Sequence, residues 1–269
     1  MIYSLQGKTV VLTGASGGFG RALTEQLILN NNCYVIGIGR REDKMLELRQ
    51  RLGKKEDRFS YSLFDVTKPE PWKRFRSSLS VVPDVLIHCA GILPAFEAFA
   101  GQDSDVFRHT MEINCLSATI AARELLPLLL QSPDPMIVNI SSSSALCPVA
   151  GAAAYSASKA ALLSFSEALR AEFRGKITVC TVCPGFSITD IFRNQKEPLP
   201  GEALMRRIAT PPDKMAKKIL RRIRRRKRLS VCGSDAKLMA WSYRIAPGLT
   251  VKVMRDILRK SGEPMFRNI

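Results

Sequence analysis

Short apolar runs rich in Val, Ile and Leu alternate with longer segments of helical period over the first two thirds of the chain. Such runs predict buried strands, and the longer segments predict helices. Strands are expected at residues 8–12 (KTVVL), 34–38 (YVIGI), 59–63, 84–89 (DVLIHC), 136–141 (MIVNIS) and 177–183 (ITVCTVC). Helices are expected at 18–29, 42–52, 69–79, 103–130 and 153–173. The strands are almost wholly apolar, as when helices cover both faces of a parallel sheet. Strict alternation then predicts an α/β fold with a doubly wound parallel sheet and right-handed crossovers. Beyond Pro184 the pattern changes. Residues 186–212 carry four prolines and no clear period, which reads as a flap over a substrate. Residues 213–226 are helical again, 229–232 form a last strand, making about seven, and 235–259 form two helices broken at Pro247-Gly248. No repeat or linker interrupts the 269 residues, so a single domain is expected.

Composition adds limits to this picture. Apolar residues make up 46%, enough for a sizeable core, which excludes long disorder. Two histidines argue against a His-rich metal site, and none is expected. The longest uncharged stretch, residues 135–158, holds six serines and is no lipid-facing helix. The N-terminus lacks a basic segment followed by an apolar run, so no signal peptide is expected. Seven cysteines at irregular spacing suggest reduced thiols and a cytoplasmic protein. The formal charge is 41 − 24 = +17 and is unevenly placed: residues 191–269 contribute 21 − 6 = +15, the first 190 only 20 − 18 = +2.

Thr13-Gly14-Ala15-Ser16-Gly17-Gly18-Phe19-Gly20 joins the first strand to the first helix. Glycines at Gly14, Gly18 and Gly20 permit a sharp turn and a close approach of backbone to ligand. The amides of the helix start, with Ser16 and Phe19 beside them, suit a pyrophosphate. A flexible βα turn is the bland alternative. The second strand runs into Arg40-Arg41, where an acid for ribose hydroxyls would stand in an NAD site. Two guanidiniums suit a 2′-phosphate instead, so NADP(H) is favoured over NAD(H). TGASGGFG resembles the cofactor turn of the short-chain dehydrogenase/reductase family, whose fold is a Rossmann-type single domain. In that family basic residues after the second strand go with NADP(H), and the Asp65-Val66 pair lies beside the adenine. Asp65 is equally suited to capping the next helix.

Tyr155 and Lys159 are four apart at the start of a helix and so share a face. An ammonium near a phenol lowers the phenol's pKa and makes an acid/base group nearer neutral pH. With Asn114 and Ser142, which stand upstream in that order, the set resembles the family's catalytic tetrad. The resemblance implies that Tyr155 exchanges a proton with the substrate oxygen and that Ser142 orients that oxygen. It implies that Lys159 also holds the nicotinamide ribose and that Asn114 supports a water relay. Pro184-Gly185-Phe186-Ser187-Ile188-Thr189 resembles the family's segment over the nicotinamide, with Pro184 and Gly185 making the turn and Ile188 and Thr189 bonding the cofactor. Ala90-Gly91 are kept beside the cofactor, but His88-Cys89 replace the usual Asn-Asn, leaving His88 to couple neighbouring strands. The resemblance spans about residues 5–192.

Cys180-x-x-Cys183 lies in an apolar strand and reads as buried, inert thiols. His109 reads as a surface residue. In the C-terminal third, Met215, Ala216, Ile219, Leu220 and Ile223 form one helical stripe among Lys214, Lys217, Lys218, Arg221 and Arg222. The stripe could pack on the sheet with a solvated basic face. Alternatively the basic helices, beside Trp241, Tyr243 and Leu249, contact an anionic membrane; nucleic acid is the weakest option. Leu93, Pro94, Leu146, Val149 and Phe186 with the flap are expected to line an apolar substrate pocket. The chain therefore reads as an NADP(H)-dependent oxidoreductase that reduces a hydrophobic ketone or aldehyde. The alternative is a non-catalytic dinucleotide sensor with a binding tail. The family resemblance implies a homodimer or homotetramer, paired through the helices of Asn114 and Tyr155.

Overall fold

The computed structural model describes residues 2–189, 191–192, 209–267 and 269. Seven parallel strands form one sheet in the order β3-β2-β1-β4-β5-β6-β7. They are β1 (Thr9–Thr13), β2 (Tyr34–Gly39), β3 (Phe59–Leu63), β4 (Val85–His88), β5 (Met136–Ile140), β6 (Thr178–Pro184) and β7 (Leu229–Cys232). The helices between them are α1 (Gly18–Asn31), α2 (Glu42–Arg51), α3 (Pro69–Ser78), α4 (Ser104–Met111), α5 (Ser117–Leu129) and α6 (Ala153–Glu172). Helices α7 (Pro212–Ile223), α8 (Ser234–Ile245) and α9 (Pro247–Lys260) complete the chain. This is the doubly wound sheet that the alternation predicted. Most of the expected flap, residue 190 and residues 193–208, lies outside the described residues.

Period two along the strands divides the core. Val10 and Leu12 face one side with Leu23 and Leu27 of α1, whereas Val11 faces the other with Leu86, Ile137 and the α5 side chain Leu125. Helix α7 joins the first side: Met215, Ala216, Ile219, Leu220 and Ile223 are all buried in that cluster. The stripe on the basic helix is thus a core face, and its lysines and arginines are what remains outward. A third cluster, beyond the carboxyl ends of the strands, joins Leu93 and Phe96 to Phe192, Met239 of α8, Leu258 of α9 and Phe266. Phe96 and Phe266 meet edge to face at 4.8 Å.

The expected single helix over 103–130 is interrupted. A π-turn, Glu112–Leu116, separates α4 from α5. It carries Asn114, fully buried, whose Nδ2 donates to the carbonyl of Ile92 (2.9 Å) and to Ser158 (3.0 Å). The Asn114 Oδ1 in turn accepts from the Ile92 amide at 2.8 Å. Helical period alone could not show this, because the extra residue changes which face Asn114 presents.

His88 also departs from expectation. Its Nε2 bonds to Ser117 at 2.8 Å, on helix α5 rather than on a neighbouring strand. The Ser117 hydroxyl already donates to the Ile113 carbonyl at 2.6 Å, so Nε2 carries the proton and the ring is neutral. Burial, then the charge of Lys159, pushes its pKa down to about 3. A histidine protonated in the unfolded chain but not in the native one makes stability rise with pH between about 3 and its ordinary value near 6.5. Acidification from pH 7 to pH 5 is expected to remove ~2 kcal/mol through this residue. Urea unfolding at the two pH values measures it, and His88→Asn should flatten the difference; an unchanged slope in that variant would refute the assignment.

Candidate active site

The sheet order reverses between β1 and β4, and a long groove opens at the carboxyl ends of the strands on both sides of that point. Its floor is the glycine turn. Gly14 sits at φ +68°, and its amide donates to the Ile38 carbonyl at 2.8 Å. A Cβ on Gly14 would lie 2.9 Å from the Ala90 backbone, and one on Gly20 would run into the Gly14 carbonyl. One on Gly18 would strike the Thr189 side chain. Helix α1 begins here with no side-chain cap and no acidic residue in its first turn. Its leading amides and positive dipole end therefore face the groove, which fits an anionic pyrophosphate.

At the far end Ser16, Arg40, Arg41, Asp65 and Val66 line the same groove. Asp65 accepts from both the amide (2.9 Å) and the hydroxyl (2.8 Å) of Thr67. Burial pulls its carboxyl pKa upward, but Thr67 and the charge of Arg40 outweigh that and hold it below the ordinary value. Asp65 therefore shapes the turn before α3 while facing the groove; it does not cap α3, whose N-cap is Lys68 with no side-chain cap bond.

At the near end Lys159 and Tyr155 project from the first turns of α6 beside Ser142, which follows β5. Ser142 hydrogen bonds to the Tyr155 phenol and also accepts from the Ser144 amide at 3.2 Å. The expected lowering of the phenol by Lys159 is not what the geometry provides. Lys159 Nζ donates to the Ile140 carbonyl at 3.0 Å and stands 5.9 Å from the centre of the Tyr155 ring. Burial pushes the phenol up to about 12, against the pull of the Ser142 hydrogen bond. Burial likewise brings the Lys159 ammonium down to about 8. The two side chains share a face, but the ammonium is satisfied by backbone and not by the phenol oxygen. Asn114 reaches this group from below: a Cβ on Gly91 would meet its Oδ1 at 3.2 Å and Lys159 Nζ at 3.3 Å.

A second, apolar pocket adjoins the groove at Tyr155 and Thr189. Leu93, Phe96, Val149, Phe186 and Phe192 supply its walls, with Ser142 at its base. Pro94 and Leu146, expected among its walls, are not among its lining residues. Pro184 and Gly185 form its edge, while the Ile188 side chain packs into the third cluster. The turn at Gly185 is held by Asp235 at the start of α8, which accepts from the Phe186 amide at 2.7 Å and leaves no space for a Cβ on Gly185. Sequence reading missed Asp235, Phe96, Cys89, Ile113 and Ser141. Cys89 and Ser141 follow strand ends, a signal that could have found them; the other three are brought in by tertiary packing. Cys180 and Cys183 are buried, and burial pushes their thiols up to about 11 and about 12. His109 is exposed on α4.

A Rossmann-type sheet with an uncapped helix over a glycine turn, and a Tyr-Ser-Lys group at one end, defines a dinucleotide-binding oxidoreductase. The short chain dehydrogenase family model matches residues 8–199. The chain belongs to the short-chain dehydrogenase/reductase family. It is 34% identical over 189 residues to a 3-oxoacyl-[acyl-carrier-protein] reductase, FabG, of Rickettsia conorii, covering 70% of this chain and 76% of that one. An 11-beta-hydroxysteroid dehydrogenase of Pinus massoniana is 31% identical over 208 residues, covering 75% of this chain and 57% of the relative. A short chain dehydrogenase of Burkholderia cenocepacia, solved in complex with NADP, superposes with a TM-score of 0.79 at 24% identity, covering 94% of this chain and 99% of that one. The chain is thus an oxidoreductase, and the non-catalytic sensor has no support. Among the described residues no helix is long and apolar enough to cross a membrane.

Proposed function

We propose that this enzyme reduces an apolar ketone or aldehyde with NADPH. The observation that carries the reading is the junction of two spaces. The groove built for an anionic dinucleotide ends on Tyr155, and the apolar pocket ends on the same phenol and on Ser142. The names of the two relatives, an oxoacyl reductase and a hydroxysteroid dehydrogenase, agree with an apolar substrate bearing one reacting oxygen.

When bound, the nicotinamide supplies the hydride for the carbonyl carbon. Everything else falls to this chain. Gly14, Gly18, Phe19, Gly20, Ala90 and Gly91 leave room for the dinucleotide, and the α1 amides bind its phosphates. Thr189 and the Ile188 amide hold the nicotinamide end. Ser142 orients the substrate oxygen. Tyr155, protonated near neutral pH, donates its proton to that oxygen as negative charge builds there. Lys159 fixes the ribose and, with Asn114, passes a replacement proton inward. Leu93, Phe96, Val149 and Phe186 exclude water from the reacting carbon.

Arg40 and Ser16 bind the 2′-phosphate and set the preference for NADP(H) over NAD(H). Arg40→Ser is expected to reduce the NADPH:NADH ratio of kcat/KM about 10- to 100-fold, the equivalent of one charge-assisted hydrogen bond. An unaltered ratio would remove Arg40 from this role. A panel of aliphatic, aromatic and polycyclic carbonyls, read by NADPH oxidation, tests the substrate class; turnover confined to small polar carbonyls would overturn it. The seven free thiols suit a reducing cytoplasm. Pairing of the α4–α5 and α6 faces, where Phe107 and Leu116 are exposed, makes the homodimer or homotetramer.

A further inference from the structure

Helices α8 and α9, separated only by Ala246, each have two sides that differ sharply. Inward, Met239 and Tyr243 of α8 and Met254 and Leu258 of α9 enter the third core cluster, which walls the apolar pocket. Outward, Leu238, Trp241 and Ile245 recur along α8, and Leu249, Val253 and Ile257 along α9. All six are exposed; Trp241 and Leu249 are 64% and 63% accessible. At 100° per residue all six stand at least 100° around their helices from Met239 or Leu258, with Trp241 and Leu249 the most nearly opposite. A cluster of large apolar side chains facing water marks a docking surface.

The surrounding charge selects what docks. Residues 234–260 hold six basic residues and two acidic ones. Lys237 and Arg244 flank the apolar row on α8, and Lys252, Arg259 and Lys260 flank the row on α9. Both acids are engaged elsewhere: Asp235 turns inward to the Phe186 amide, and Asp256 is held by Arg255 at 2.8 Å. The end of α7 and the start of α8 both lie near Cys232 at the end of β7. Burial raises the Cys232 thiol, and Arg222, Lys218, Lys237 and Arg221 all pull against that rise. A second copy seated on this surface would bring like charges together. Apolar rows with a cationic border match an anionic bilayer, where the rows enter the acyl boundary and the cations meet lipid phosphates.

We propose that helices α8 and α9 dock the enzyme on an anionic membrane surface, with Trp241 and Leu249 inserted and Lys237, Arg244, Lys252 and Arg259 at the headgroups. The expected membrane contact thus moves from α7, whose apolar stripe is buried, to the two helices behind it in sequence. Docking itself is independent of the catalytic reading. Its consequence for substrate, that helices packed behind the walls of the pocket also lie on lipid, rests on that reading.

Full-length protein is co-sedimented with vesicles of phosphatidylcholine alone and of equimolar phosphatidylcholine and phosphatidylglycerol across a salt series. Binding is expected on the anionic vesicles only, weakening as salt rises. Trp72 is fully buried, so a blue shift of tryptophan emission on binding reports Trp241. Trp241→Ser with Leu249→Ser should weaken partitioning at least about tenfold, as should Lys237→Glu with Lys252→Glu. Both variants should turn over a water-soluble carbonyl like wild type, which separates docking from catalysis. Wild-type protein that stays in the supernatant with both vesicles overturns the proposal. So does a dimer that Trp241→Ser dissociates while no vesicle binds, or sedimentation with duplex DNA in place of vesicles. Vesicle binding that persists when no carbonyl is reduced supports docking and sinks only the catalytic reading.

Discussion

Tyr155→Phe is expected to lower turnover about 10²- to 10⁴-fold, the range of a lost general acid. NADPH affinity should stay close to wild type, measured by cofactor fluorescence. The phenyl ring fills the same partly buried space, so packing is kept, and Lys159 retains its bond to the Ile140 carbonyl. What disappears is the proton that must reach the substrate oxygen, together with the phenol's hydrogen bond to Ser142. The pH profile gives a second readout. A protonated phenol persists through neutral pH and is lost as pH rises toward its pKa, so kcat/KM for reduction should be flat near neutrality and fall on the alkaline side. The residual activity of the variant should lack that alkaline limb. Turnover retained in Tyr155→Phe would refute the role of the phenol outright.

Gly20→Ala should be the most damaging change in the phosphate turn. Its Cβ would collide with the Gly14 carbonyl, which is backbone and cannot rotate aside. Gly14 itself has a left-handed φ of +68°, and its amide donates a hydrogen bond to the Ile38 carbonyl. The turn must therefore open, at about 1–3 kcal/mol for overpacking, and the amides of α1 lose their alignment on the groove. NADPH affinity should fall by about 100-fold, a loss of ~2.7 kcal/mol. Gly17→Ala provides the contrast. Its Cβ would lie 3.5 Å from the Gly14 carbonyl, an ordinary contact, and its φ of −89° suits any residue. Urea midpoints without cofactor should separate the pair, with Gly17→Ala within about 0.5 kcal/mol of wild type. Equal midpoints would mean that the turn adapts and that the close approach at Gly20 is not a constraint.

That pair also shows how far local sequence carries. Gly17 and Gly20 are the same residue in one motif, and nothing in the string TGASGGFG ranks them. The collision that distinguishes them is with Gly14, placed by the turn as a whole. In the same way Tyr155 and Lys159 could be paired on spacing, but the partner of the ammonium could not. Ile140 lies at the end of β5, and only the packing of α6 on that strand brings its carbonyl to Nζ. Asn114 was legible as a candidate, whereas the π-turn that seats it came from its bonds to Ile92 and Ser158.

The linear pattern by itself determined the strand–helix alternation, the glycine turn, the guanidiniums after β2 and the order of Asn114, Ser142, Tyr155 and Lys159. These are set by short-range sterics and by the period of apolar residues, which any stretch of chain carries locally. Tertiary structure alone decided that the stripe of α7 is core while the rows of α8 and α9 face outward, that His88 answers to Ser117, and that Phe96 and Asp235 complete the site. Those outcomes depend on which surfaces meet across long separations in the chain. Amphipathic helices of the same C-terminal third therefore end in opposite environments: α7 has α1 and the sheet to cover it, whereas α8 and α9 each turn a second apolar row away from the core.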